Sequence, residues 1–387
     1  MDNTLIPTWQ TRRFYKEQQM KNKRAFILVF IGFLIVAIGA SILNLGVVRR
    51  TLAGITGNDR LSIDLRSISA ADQAWLLPFV SGIAESHLLR LRAEADDPRA
   101  ERADLALFWA SGDVRSAAEA GQLPFLADPY GLYIATSEQH NNLIGNWEAF
   151  IDPRARIRDT AAYTVAVAGD DDETLLAFAI AAVEAAHGPA DGAALLAELI
   201  EERSLGPDGR IDPASRWGYA ATLLRGLTRD GVLAADWTNW DQPSALRSLR
   251  DGLTACAFAR FSDRASYSAL ERGTLRFLSL PGRSGRSDHS VTARVLVARA
   301  APSGRKTEAA ANLASVLAAG DMNPAPLSWQ NPYWDFGRTT GNRIERSYKS
   351  RLALAAAVLA LAPVAPGSYP GSVAEALRLE VKTEDTE

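Results

Sequence analysis

The residue types suited to metal or acid–base chemistry are few in this sequence and stand apart. The four histidines, His87, His140, His187 and His289, have no metal-binding spacing, and neither a Gly-x-Ser-x-Gly motif nor a Walker loop occurs. The acidic run at residues 170–173 lacks the spaced ligands of a calcium loop and fits a helix N-terminus better. The sequence therefore predicts no catalytic residues, no metal site and no cofactor.

A strand followed by a polar turn gives the clearest local signal for ligand binding. Residues 105–109, LALFW, form a continuous apolar run typical of a strand covered on both faces. Ser111, Gly112 and Asp113 then predict a short helix that ends at Gly121, and Asp113 is suited to cap it. This order is half of a βαβ unit, and α/β proteins bind ligands in the turn after such a strand.

The stretch LPFLADPYGLYIAT, residues 123–136, contains two prolines and a glycine, yet its second half has the composition of a strand. Proline donates no backbone hydrogen bond and is therefore excluded from fully paired central strands. We therefore expect an extended segment whose backbone pairing is interrupted, and not a fully paired central strand.

An uncharged apolar segment at residues 25–48 is long enough to cross a membrane, which takes about 20 residues. Six basic residues precede it and only Arg49 and Arg50 follow closely, so the N-terminus is predicted to be cytoplasmic and the main domain extracytoplasmic. Cleavage as a signal peptide is the alternative, but a cut after Ala40 would place Ile38 where a small residue is required. We expect a single-pass protein of the inner membrane.

The length, charge and cysteine content of the chain limit its possible domain organisation and partners. A chain of 387 residues that is 47% hydrophobic is long enough for two domains or one divided domain. Its net charge is −3 and its basic residues are dispersed, so no nucleic-acid partner is predicted. A single cysteine, Cys256, excludes an internal disulfide.

Periodicity and turn residues predict a mixture of strands and helices after residue 60. The predicted strands are 61–68, 105–109, 254–258, 275–280 and 291–298. The predicted helices are 70–95, 174–187, 190–202, 217–227, 306–317 and 344–362.

Over residues 100–365 these segments resemble, in order and spacing, the extracytoplasmic solute-binding proteins of ABC importers, in particular the carbohydrate-binding group that includes maltose-binding protein. ADLALFWASGD resembles a strand and turn of that family that contact sugar, and LPFLADPYGLYIAT resembles its crossing between lobes. GNWEAF, ALRSLRDGLTACAFARF, RFLSLPG and TARVLVARAAPSGRKTEAAANLASVLAA resemble later family segments in the same order. Two departures are a shortened region before ADLALFW and Ala135 in place of the family's usual asparagine.

The resemblance implies an α/β, two-lobed periplasmic-binding-protein-like fold with crossover segments, preceded by one N-terminal transmembrane helix. The implied domains are a cytoplasmic tail (1–24), the membrane helix (25–48), a tether (49–60), lobe 1 (61–127 and 276–304), lobe 2 (128–275 and 305–375) and a polar C-terminal tail (376–387).

The same resemblance implies a set of ligand contacts. Sugar binding uses aromatic faces that stack on a pyranose, together with planar groups that bond its hydroxyls. Trp109 is the implied stacking residue, Asp113 the nearest hydroxyl acceptor, and Asp128 the crossover acid. The remaining candidates are Tyr130, Phe261, Trp329, Trp334 and, in the loop DWTNWDQ, Trp240. Core packing for Trp109, helix capping for Asp113 and a surface loop for Trp240 stay open as alternatives.

Two functions are consistent with these observations. The first is a membrane-tethered protein that binds a sugar or oligosaccharide and presents it to an ABC permease. The second is a ligand-free scaffold of the same fold that binds another envelope protein; the shortened first lobe and Ala135 favour it.

Overall fold

The computed structural model describes residues 60–87, 89–93, 103–114, 120–135, 146–152, 161–283, 290–302, 306–319, 357–365 and 367–382. The predicted membrane segment 25–48, Trp329 and Trp334 lie outside these ranges. Within them, no helix is both long and apolar enough to cross a membrane. Apart from Arg60 and residues 89–90, the described residues belong to one compact unit.

Strands and helices alternate along the described chain. The strands are β1 (Arg60–Asp64), β2 (Arg90–Ala93), β3 (Leu105–Trp109), β4 (Gly112–Asp113), β5 (Leu123–Ala135), β6 (Tyr163–Val167), β7 (Thr254–Arg260), β8 (Leu275–Leu278), β9 (Ser290–Ala300) and β10 (Ala357–Ala360). The helices are α1 (Ala70–Ser86), α2 (Trp147–Ile151), α3 (Asp172–His187), α4 (Pro189–Ile200), α5 (Arg216–Arg229), α6 (Gln242–Arg250), α7 (Ala269–Thr274), α8 (Thr307–Ala319) and α9 (Tyr369–Lys382).

The strands form two sheets that share β5, in the order β2-β1-β3-β9-β5-β7-β6. In the first sheet β3 lies parallel to β1 and antiparallel to β9, while β10 pairs with β9 and β4. In the second sheet β5 lies between β7 and β8, and β6 pairs with β7. We call the first sheet with α1 and α8 the first lobe, and the second sheet with α3 to α7 and α9 the second lobe.

Strand β5 passes from one sheet to the other at a single peptide bond. Its residues from Leu123 to Pro129 pair with β9, and from Tyr130 onward it pairs with β7. A register shift separates Pro124 from Leu126, and proline is tolerated at such irregularities. The predicted crossing at 123–136 is confirmed. The chain returns to the first sheet between β8 and β9, as the resemblance of RFLSLPG implied.

Helix α3 is the central helix of the second lobe, since its sequence DETLLAFAIAAVEAAH is apolar on almost every side. It packs on α4, α5 and α9 and on the sheet strands. The Asp171 carboxylate caps it by accepting a 2.7 Å hydrogen bond from the Thr174 amide. Gly188, with φ of 120°, ends it, and Pro189 begins α4. The predicted helix and its end are confirmed.

Two local predictions were wrong, and a third lies partly outside the described residues. The helix predicted for 70–95 ends at Ser86, and Arg90–Ala93 forms β2. Of the helix predicted to open at 111–113 and end at Gly121, Gly112–Asp113 form β4, which pairs with β10, Val114 is helical, and residues 115–119 lie outside the described ranges, so this helix stays a prediction. The described end of the helix predicted for 344–362 is strand β10, whose Leu359 and Ala360 are buried beside β9. An apolar alanine-rich sequence is compatible with either a helix or a strand, and at residues 357–360 pairing with β9 favours the strand.

Replacement by alanine should have opposite effects on the stability of the fold at Gly188, which ends α3, and at Gly226, which lies inside α5. Gly188→Ala should destabilise the fold by about 1–3 kcal/mol, because a φ of 120° strains any side chain. Gly226→Ala inside α5 should stabilise it by about 0.5–1 kcal/mol, since open space surrounds that position and alanine favours helix. Urea unfolding of both variants measures the difference. Equal effects of the two substitutions would contradict this description of the helix end.

Candidate functional site

Five residues lie around the point where β5 leaves the first sheet. We call Trp109, Asp128, Tyr130, Glu173 and Arg294 the crossover cluster. Arg294 lies opposite Asp128 in the pairing of β9 with β5. Its guanidinium carbon lies 5.9 Å from the centroid of the Trp109 ring, within the range of a cation–π contact. Arg294 and Trp109 thus present a charged and an aromatic group together on the first lobe.

Glu173, in the first turn of α3, connects Arg294 to the second lobe. The Arg294 Nε and Nη2 atoms donate to the two carboxylate oxygens of Glu173 in a bidentate pair. The two side chains are only 15% and 5% exposed, so water screens the ion pair weakly. The positive end of the α3 dipole also stabilises the Glu173 carboxylate.

Tyr130 is the first residue of β5 in the second sheet and donates its hydroxyl hydrogen to Glu173. Its ring stacks on Phe258, with centroids 5.9 Å apart. Burial, and then the negative charge of Glu173, raise the pKa of Tyr130 well above its ordinary value. The hydroxyl therefore remains a hydrogen-bond donor at physiological pH.

Asp128 forms a second connection across the crossover. Its carboxylate accepts hydrogen bonds from the Ser262 amide at 2.9 Å and from the Ser262 hydroxyl at 2.7 Å, and Ser262 lies in the 3₁₀ segment Phe261–Ser266 that follows β7. Complete burial raises the pKa of Asp128 from 3.8 to about 6, although the Ser262 hydrogen bonds favour the charged form. The crossover therefore contains a carboxyl group whose pKa, about 6, is close to physiological pH.

The structure contains a small cavity at the crossover cluster and a much larger groove away from it. A small cavity of ≈ 20 Å³ lies beside Tyr130 and is lined by Glu184, Ser290 and Thr292 among others. It admits one water molecule but not a pyranose. A groove of ≈ 660 Å³ lies on the first lobe and includes Arg299 and a bidentate ion pair between Arg66 and Asp64. That groove is lined by first-lobe residues alone.

Of the eight predicted ligand residues, Trp109 and Tyr130 are linked through the Arg294–Glu173 pair, and Asp128 lies opposite Arg294 in the strand pairing. Asp113 is exposed on β4. Phe261 is fully buried between Phe277 and the Arg264 guanidinium. The role of the three grouped residues as ligand contacts stays a prediction.

The other predicted aromatic residues lie elsewhere. Trp240 is half-buried and packs against the second-lobe core, next to the fully buried Trp237. Trp329 and Trp334 lie outside the described residues. Among the residues that the structure describes, no group of His, Cys, Asp or Glu side chains is placed to hold a metal ion.

Sequence reasoning missed Glu173, Arg294 and Ser262. Glu173 was treated only as part of an acidic helix N-terminus, which is where it lies. Arg294 interrupts the apolar run SVTARVLV of β9, and a charge inside a buried strand is a signal for a specific partner. Ser262 carried no signal in the sequence, since its role depends on how the two lobes meet.

Comparison with known proteins identifies the fold. No protein-family model matches the sequence, and no curated protein is significantly similar to it. Among solved structures, the bacterial solute receptor AcbH aligns with a TM-score of 0.57 at 13% identity, over 84% of this chain and 95% of that one. A probable secreted solute-binding lipoprotein from Streptomyces coelicolor aligns with a TM-score of 0.51 at 14% identity, over 83% and 98%. The chain has the two-lobed α/β fold of these solute-binding proteins.

Asp128 predicts a specific pH dependence of stability. Because its folded pKa is about 6 and its ordinary pKa is 3.8, the folded state binds more protons between these pH values. Stability should therefore fall as the pH rises from about 4 to about 6, by up to about 3 kcal/mol from this group. Asp128→Asn keeps partners for Ser262 and should remove this fall, leaving the variant more stable than the wild type at pH 7.

Urea unfolding across that pH range measures the difference. Asp236→Asn, the same change at an exposed position, is the matched control and should follow the wild type. Parallel pH profiles for Asp128→Asn and the wild type would show that the carboxyl is not held in this environment.

Proposed function

We propose that this chain is an extracytoplasmic solute-binding protein that holds a sugar or oligosaccharide between its lobes for an ABC importer. The observation that carries the proposal is the crossover cluster, which places an aromatic ring, a guanidinium and two carboxyl groups where β5 joins the lobes. The fold shared with AcbH, a receptor described as having an exclusive preference for β-D-galactopyranose, supports it.

The side chains of the cluster are suited to carbohydrate chemistry. An indole face packs on the apolar C–H face of a pyranose, and guanidinium and carboxylate groups bond pairs of hydroxyls. A solute that contacts both lobes binds the closed arrangement more tightly than the open one and shifts the population toward it. The protein would act by binding and release, without a catalytic step.

Residues 25–48 would serve as a membrane tether with the N-terminus in the cytoplasm, which places the two lobes outside the inner membrane. Tethering raises the local concentration of the binding protein near a permease, so that weak docking is sufficient.

A sugar panel tests the binding proposal. Calorimetry and thermal shift with D-galactose, D-glucose, D-xylose and maltose should find a ligand that stabilises the fold, by about 2.7 kcal/mol at a concentration one hundred times its Kd. Trp109→Leu should weaken binding at least about tenfold, because it removes the stacking face. Tyr219→Leu, at an exposed aromatic on α5, is the control. Equal affinities of the wild type and Trp109→Leu would exclude the cluster as the site.

Membrane fractionation tests the tether. The full chain should remain in the membrane pellet after carbonate extraction, and a chain lacking residues 1–48 should be soluble. Protease added to spheroplasts should digest the two-lobed domain. Release of the full chain by carbonate, or protection of the domain from protease, would contradict the predicted topology.

A ligand-free scaffold is the second candidate, and one observation favours it. Asp128 and Tyr130 already have partners within the chain, the half-buried Ser262 and the buried Glu173 respectively. If no sugar binds and crosslinking in intact cells recovers one stable protein partner, this second function replaces the first.

A further inference from the structure

The buried ion pair between Arg294 and Glu173 limits which solutes can enter the crossover cluster. It joins β9 of the first lobe to α3 of the second, so a solute placed between the lobes must separate the two charges. If α3 moves away as the lobes part, Glu173 returns to water. Arg294, on a strand paired on both sides, remains beside Trp109.

A neutral sugar does not replace what Arg294 would lose. Separation from Glu173 costs Arg294 two charge-assisted hydrogen bonds, and uncharged hydroxyl groups only partly replace them. Asp128, the nearest acid in the strand pairing, is engaged by both the amide and the hydroxyl of Ser262. A solute that carries its own negative charge avoids this cost.

A carboxylate fits the position that Glu173 occupies. It accepts the same two parallel hydrogen bonds from a guanidinium, and the Tyr130 hydroxyl supplies a third donor. A sugar ring attached to that carboxylate would then lie near Trp109. In the described part of the structure the Trp109 indole N–H has no hydrogen-bond partner although the residue is only 8% exposed, so it offers a donor to a sugar oxygen.

We propose that the solute is an acidic sugar of the uronate class, and that Glu173 acts as an internal carboxylate which the solute displaces from Arg294. This inference rests on the proposed function and narrows its substrate class. Arg294 sets the specificity for a carboxylate, and Glu173 competes with the carboxylate of the solute for Arg294.

Calorimetry on the full chain tests the proposal with two matched pairs of probes: D-galacturonate against D-galactose, and D-glucuronate against D-glucose. The wild type should bind at least one uronate about tenfold or more tightly than its neutral counterpart. Glu173→Gln, which weakens the internal competitor, should tighten uronate binding at least about tenfold. Arg294→Gln should abolish the preference for the uronate. Asp191→Asn, in the exposed ion pair with Arg216, is the control and should leave all affinities unchanged.

The outcomes separate this inference from the function on which it rests. Neutral sugars that bind as tightly as uronates, or a Glu173→Gln variant with unchanged uronate affinity, overturn the inference and leave the sugar-binding function in place. No binding of any sugar overturns both. If Arg294→Gln does not unfold cooperatively, the uronate preference of the wild type and of Glu173→Gln decides the matter.

Discussion

The charge of Arg294 is the constraint on which the junction of the two lobes depends. A guanidinium on a paired, largely buried strand needs a counter-ion, and Glu173 supplies it from the other lobe. Tyr130 and Trp109 complete the surroundings of the pair, one by donating to Glu173 and the other by facing the guanidinium. The contacts that neutralise this charge therefore also hold the lobes together.

The crossover of β5 connects the two lobes at this junction. The strand exchanges its pairing partners between Pro129 and Tyr130, so the backbone is continuous while the two sheets remain distinct. Asp128 lies on one side of the exchange and reaches Ser262 on the other. Under the proposed function the lobes must open and close at low energetic cost, and a small number of polar contacts at one junction can then be exchanged for contacts with a solute.

The parts of this structure that could be predicted are those set by local sequence. Gly188 marks the end of α3 because glycine tolerates the positive φ there, and Pro189 and the prolines of β5 mark the start of α4 and the crossover because proline restricts the backbone whatever lies around it. Strand β10 could not be recognised, since its alanine-rich sequence also suits a helix and its pairing with β9 is distant in the chain. Trp109, Asp128 and Tyr130 could be identified as candidates through the family resemblance, whereas Glu173 and Ser262 gain their roles only through the meeting of two lobes.

The central claim is that the Arg294–Glu173 pair holds the lobes together, and the distance between the lobes measures this directly. Spin labels at Glu85→Cys on α1 and Thr222→Cys on α5 occupy exposed positions, while the native Cys256 is buried. Double electron–electron resonance should give one narrow distance distribution for the otherwise wild-type protein and a longer, broader one for Glu173→Gln. An unchanged distribution in Glu173→Gln would contradict the claim.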